Sequence, residues 1–145
     1  MHSAKIPASM EYLSRVMSLT ERFLKEAGCG EDDRRHTEIS VEEIFTNIAS
    51  YAYKDSCKKE EGMVWMEWEV RETGKEQKEV EIRFMDEGAP YDPFARKDPD
   101  LTLPIEERPV GGLGVYMVKQ FMDDASHRYE RGRNLTVIKK RFHVV

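Results

Sequence analysis

Three short segments carry residues whose types and spacing suit chemistry. In Arg108-Pro109-Val110-Gly111-Gly112-Leu113-Gly114-Val115-Tyr116-Met117-Val118, three glycines fall within four residues. Val115, Val118, Phe121 and Met122 then follow helical spacing. Glycines ahead of a helix let the chain turn sharply and expose its unpaired N–H groups to an anion. The helix dipole favours the same anion, so the segment reads as a phosphate cradle. On its residues alone it reads equally as an ordinary helix start. No Gly-Lys-Ser/Thr follows, which excludes the P-loop pattern. No long parallel-strand run precedes it, which excludes the dinucleotide fingerprint.

The second segment is Val41-Glu42-Glu43-Ile44-Phe45-Thr46-Asn47-Ile48-Ala49-Ser50-Tyr51-Ala52-Tyr53. Val41, Ile44, Phe45, Ile48 and Ala52 share one helical stripe. Glu43 and Asn47, four residues apart, share a different face. A carboxylate beside an amide oxygen can hold Mg²⁺ or activate a nucleophile. The same spacing also describes a solvated Glu/Asn pair. In the third segment, Val80, Ile82 and Phe84 alternate with Glu81 and Arg83 as in a half-buried strand. That strand runs into Asp86-Glu87-Gly88. An Asp at a strand end can accept from an exocyclic amine, and Gly88 lets a flat ring approach the backbone. An ordinary Asp/Gly turn is the alternative.

In this order the segments are Glu-x-x-x-Asn on a helix, Asp-x-Gly-x-Pro after a strand, and Gly-Gly-x-Gly opening a helix. The chain thereby resembles the Bergerat-fold ATP-binding module of the GHKL superfamily. Within it, the likeness is to the small serine kinases that act as anti-sigma factors. The opening I-P-A-S-M-E-Y-L and the closing Y-E-R-G-R-N-L-T-V-I-K-K extend the resemblance from Lys5 to Phe142. It departs at Tyr51, where many relatives carry His.

The resemblance implies ATP and Mg²⁺ as cofactors. Glu43 would be the catalytic base toward a protein serine, and Asn47 the Mg²⁺ ligand. Asp86 would accept the adenine amine beside Gly88. Gly111, Gly112, Leu113 and Gly114 would meet the phosphates. Arg108 would reach the γ-phosphate or the partner, unless it is a solvated loop residue. Thr136 would support Asp86. The implied partners are an anti-sigma factor antagonist and a sigma factor, with a homodimer as the family's expectation. Two other readings stay open: a non-catalytic ATP-dependent switch, and a kinase in a partner-switching circuit without a sigma factor. A detached histidine-kinase ATPase domain fits less well, since His36 lies near a helix start, outside any dimerisation hairpin.

The elements that must position these residues follow from periodicity and turn chemistry. A short edge strand is expected over Lys5–Ala8, then a helix from Met10 to Ala27 capped by Ser9 and stopped at Gly28-Cys29-Gly30. A second helix runs from Asp32 to Tyr53, and Lys54–Gly62 is a charged loop. Strands at Met63–Arg71 and up to Asp86 form a hairpin through Thr73-Gly74-Lys75. Pro93–Val110 reads as a functional lid or a disordered loop, and Gly112–Met122 as a helix. Ser126–Glu130 and Asn134–Phe142 close the sheet through Arg131-Gly132-Arg133. The predicted class is α+β, a two-layer sandwich with helices on one face of a mixed, largely antiparallel sheet. Residues 1–145 are expected to form a single domain.

A net charge of −5 and a pI near 5.5 argue against general nucleic-acid binding. No apolar run reaches membrane-span length and no signal-peptide pattern opens the chain, so the expected compartment is the cytoplasm. Cys29 and Cys57, in separate polar loops without metal-ligand spacing, are expected to be free thiols.

Overall fold

The computed structural model describes residues 1–54, 62–95, 101–104 and 113–144, with Leu113 as backbone only. Five strands, β1 (His2–Pro7), β2 (Met63–Gly74), β3 (Gln77–Asp86), β4 (Asp124–Glu130) and β5 (Arg133–His143), form one sheet in the order β1-β2-β3-β5-β4. All four ladders are antiparallel. The α+β class is as expected, but the sheet has no parallel pairing among the described residues. Helices α1 (Leu13–Glu26), α2 (Glu31–Asn47) and α3 (Leu113–Phe121) complete the fold.

Side chains alternate across the strands, so even-numbered positions of β2, β3 and β5 face the helices. Val64, Met66, Trp68, Val80, Ile82, Phe84 and Ile138 are all at most 1% exposed. Val16 and Leu24 of α1, Val41 and Phe45 of α2, and Val118 of α3 close over them. The odd positions form the other face. There Arg83 joins Glu67 and Glu69 at 3.0 Å each, and also Glu81.

Turn chemistry sets the element ends. Gly28 has a φ of 85°, and its N–H donates to the Lys25 carbonyl while that of Cys29 donates to Leu24. This is a Schellman termination of α1, and only glycine takes that φ without strain. In the last hairpin Arg131 and Gly132 both have positive φ, as a two-residue primed turn requires. The β2–β3 turn differs from expectation. Gly74 stays in its strand, pairing with Gln77, and the positive φ falls on Glu76.

Two helix boundaries also moved. A 3₁₀ turn at Met10–Tyr12 precedes α1. After Asn47 the second helix widens into a π turn over Ile48–Ala52, which includes Ile48 and Ala52 of the predicted stripe. At the far end of α3, Lys140 donates to the Phe121 carbonyl at 2.6 Å, where a cation complements the helix dipole. His36 of α2 stacks on Phe121 at 4.4 Å, fixing α3 against α2. Cys29 is not in a polar loop; it is 4% exposed in the core. Cys57 lies outside the described residues.

Candidate functional site

Between α2, the end of β3, β5 and α3 lies a cavity of about 480 Å³. Glu43, Asn47, Asp86 and Thr136 line it, with Ile44, Ile48, Ala52, Phe94 and Val115 as apolar walls. Side chains from sequence positions 43 to 136 thus converge on one space. The walls suit a flat apolar ring, and the polar groups suit its edge and an anionic tail.

Glu43 and Asn47 lie one helical turn apart on the cavity face of α2. The Asn47 amide N–H donates to Glu43 Oε1 at 3.3 Å, and the Asn47 side-chain oxygen takes no hydrogen bond among the described residues. Glu43 is packed against the start of α3: a Cβ added to Gly114 would overlap its carboxylate. Gly114 is therefore the point where the first and second sequence motifs touch. As the second residue of α3 it also sits where helical N–H groups have no intrahelical acceptor.

Asp86 ends β3 and is 3% exposed. Burial pushes its carboxyl above the ordinary aspartate value, opposed by hydrogen bonds from Asn134 and Gly88 and by the charge of His127. Both hydrogen bonds fall on Oδ1, from the Gly88 N–H at 2.9 Å and from Asn134 Nδ2 at 3.0 Å. Oδ2 takes no protein hydrogen bond among the described residues. Gly88 makes a close backbone contact of its own. It does not line the cavity; its bare Cα fits against the Ala52 carbonyl, where a Cβ would collide. The Ala89 N–H donates to that same carbonyl at 3.3 Å. Tyr53 secures the region from below, donating to the Met63 carbonyl at 2.6 Å and accepting from the Glu87 N–H at 2.9 Å.

Thr136 is buried and lines the cavity, but the side chain bonded to Asp86 is Asn134, two residues earlier. Register explains this: Asp86 pairs with Asn134, whereas Thr136 pairs with Phe84. Arg108, Gly111 and Gly112 lie outside the described residues, and Leu113 enters only as the first residue of α3.

These groups fit a magnesium nucleotide. Oδ2 of Asp86 is an acceptor with no hydrogen bond among the described residues, and Asn47 offers an amide oxygen to the same cavity. No cluster of three or more His, Cys, Asp or Glu among the described residues could hold a metal by itself. No helix among the described residues is long and apolar enough to cross a membrane.

Fold and cavity together define the Bergerat class of α+β domains anticipated from the sequence. The chain belongs to the histidine kinase-like ATPase domain family, whose model matches residues 6–140. It is 30% identical over 139 residues to a serine-protein kinase RsbW of Bacillus thuringiensis (strain Al Hakam), and 29% identical to that of Bacillus cereus (strain G9842). Each alignment covers 93% of this chain and 81% of the relative. Among solved structures, the SiaB–SiaC complex from Pseudomonas aeruginosa shares the fold. The TM-score is 0.59 at 16% identity, over 98% of this chain and 90% of that one.

Proposed function

We propose that this chain, taken as one domain over residues 1–145, is an ATP-dependent serine kinase of the anti-sigma type. The observation that carries this reading is the convergence of Glu43, Asn47 and Asp86 on one apolar-walled cavity. Relatives named as serine-protein kinases across 93% of the chain support it.

When bound, ATP supplies the transferable phosphoryl group and Mg²⁺ neutralises its charge. Asp86 accepts from the adenine amine at Oδ2, and the Ile44, Ile48 and Phe94 side chains exclude water from the ring. Asn47 would hold Mg²⁺ through its side-chain oxygen. N–H groups at the start of α3, Gly114 included, orient the phosphates. Glu43 accepts the proton of a serine hydroxyl on the incoming protein. Most of the rate then comes from positioning and charge stabilisation.

The client is a small antagonist protein with an exposed serine. Phosphate on that serine adds roughly −1.5 to −2 charge against an acidic kinase and favours release. Transfer leaves ADP on the kinase; once ATP has replaced it, the released kinase holds a sigma factor, so two partners compete for the ATP-loaded state in the cytoplasm, with the kinase as a homodimer.

The test combines the purified chain with antagonist and sigma-factor candidates from its own genome. Radiolabelled ATP reports transfer to serine, and a pull-down reports exchange. Transfer without sigma capture would favour a circuit lacking a sigma factor. ATP binding with neither would favour a non-catalytic switch.

A further inference from the structure

The amide of Asn134 is held from both ends. Its Nδ2 donates to Asp86 Oδ1 at 3.0 Å and to the Ala89 carbonyl at 2.9 Å, with the Gly88 carbonyl at 3.3 Å. Its Oδ1 accepts from the Tyr91 N–H at 3.1 Å and lies 2.8 Å from His127 Nε2. A side-chain amide has two N–H donors and two acceptor lone pairs, so all four are used. Turning the amide over would set its oxygen against a carboxylate and two carbonyls. It would also set its NH₂ against the Tyr91 N–H. Only one orientation is compatible with these neighbours. His127 must then carry its proton on Nε2 to donate to Asn134.

This arrangement decides how Asp86 faces the cavity. Oδ1 is occupied by Asn134 and by the Gly88 N–H, which leaves Oδ2 for a ligand. Asn134 is 4% exposed, lines the cavity, and ties the loop after β3 to the same point.

We propose that Asn134 is the positioning residue for base recognition, holding Asp86 so that Oδ2 meets the exocyclic amine of a 6-aminopurine, with His127 locking the Asn134 amide. The inference rests on the ATP reading above and adds the source of its base selectivity. A 6-oxopurine places an oxygen where the amine would be, and a fixed carboxylate repels it. A carboxylate released from Asn134 can turn away, so the penalty on the wrong base shrinks along with the gain from the right one.

The experiment titrates wild type, Asn134→Ala, His127→Phe and His127→Gln with ATP and with inosine triphosphate, each with Mg²⁺, by calorimetry. The two nucleotides differ at the purine 6-position. Wild type is expected to prefer ATP. Asn134→Ala is expected to lose at least about tenfold of that preference, the scale of a hydrogen bond to a charged group. His127→Phe should lose part of it, and His127→Gln, which keeps an N–H donor, should recover toward wild type. His127 is only half-buried on β4, so these variants keep the test open if Asn134→Ala fails to fold. A general structural weakening would lower both affinities together. An unchanged ratio in Asn134→Ala or in both His127 variants overturns the proposal while leaving ATP binding intact. Folded wild type that binds neither nucleotide overturns the ATP reading and this inference together. Nitrogen NMR adds an independent check, because an unprotonated Nε2 on His127 would also overturn it.

Discussion

The carboxylate of Glu43 packs directly on the bare Cα of Gly114, joining α2 to the first turn of α3. A methyl group at position 114 has no room unless one of the two moves. Gly114→Ala is therefore expected to displace the proposed base. A misplacement of about 1 Å can cost roughly 10²-fold in rate. The measurement is phosphoryl transfer to an antagonist serine, with nucleotide affinity followed in parallel. Transfer at the wild-type rate would mean that this contact does not set the position of the base.

Glu43 and Asn47 are joined by one hydrogen bond, but the tasks proposed for them are separable. Glu43→Ala should keep most nucleotide affinity and abolish transfer. Asn47→Ala should lose the Mg²⁺-dependent part of the affinity as well. Calorimetry with and without Mg²⁺, beside a transfer assay, distinguishes the two. Glu43→Ala that still transfers phosphate at the wild-type rate would remove Glu43 from the mechanism.

Asp86 gives the site a pH signature. Burial raises its carboxyl above the ordinary value of 3.8. The folded chain therefore holds this proton more tightly than the unfolded chain does. The stability from that term is fully present below the unfolded value and is lost as pH rises through the folded one. Binding has the opposite sense, since an amine donor needs the ionised acid. Adenine-nucleotide affinity should fall on acidification at a pH above 3.8. Asp86→Asn should abolish that dependence and weaken binding by roughly 1.5–3 kcal/mol. Affinity that is flat with pH down to the ordinary aspartate range would contradict the assignment.

The element order and class were legible because binary patterns are local. The alternation Val64, Met66, Trp68 and the stripe Val41, Ile44, Phe45 each name a face without knowledge of the partner. Glu43, Asn47 and Asp86 could be singled out as candidates because their motifs are short and each lies within one element. Asn134 was not singled out because its bond to Asp86 depends on cross-strand register. It stands opposite Asp86 only once β5 is slotted between β3 and β4, with the turn fixed at Arg131-Gly132. Thr136, on the same face of β5 and one step further along, was the near miss. The π turn after Asn47 was also invisible, since Ile48–Ala52 continues the helical stripe. What makes Gly88 necessary is the Ala52 carbonyl, a long-range contact that no turn rule contains.

The core makes its own prediction through Trp68 and Thr20, both 0% exposed. The Trp68 indole N–H donates to Thr20 Oγ1 at 3.1 Å, and the Thr20 hydroxyl donates to the Val16 carbonyl at 2.8 Å. This bond lets a large polar-tipped ring sit under α1. Thr20→Val preserves shape but leaves a buried N–H unpaired, at about 1–3 kcal/mol. Its urea midpoint should drop accordingly, without a change in the slope of the transition. An unchanged midpoint would show that the indole finds another acceptor.

Cys29 is the last residue whose environment fixes a measurable outcome. It follows the Gly28 turn and lies in the core at 4% exposure. Burial, reinforced by the charge of Asp33, pushes its thiol up to about 11 from the ordinary 9.0. The raised value means that the folded chain favours the thiol. Its contribution to stability is complete below 9 and is lost as pH rises toward 11. The thiolate is the reactive form, so folded Cys29 should resist alkylation near pH 8. Peptide mapping after iodoacetamide, with and without denaturant, measures this residue separately from Cys57. Rapid modification of Cys29 in the folded protein would mean that the α1–α2 junction opens more readily than its packing implies.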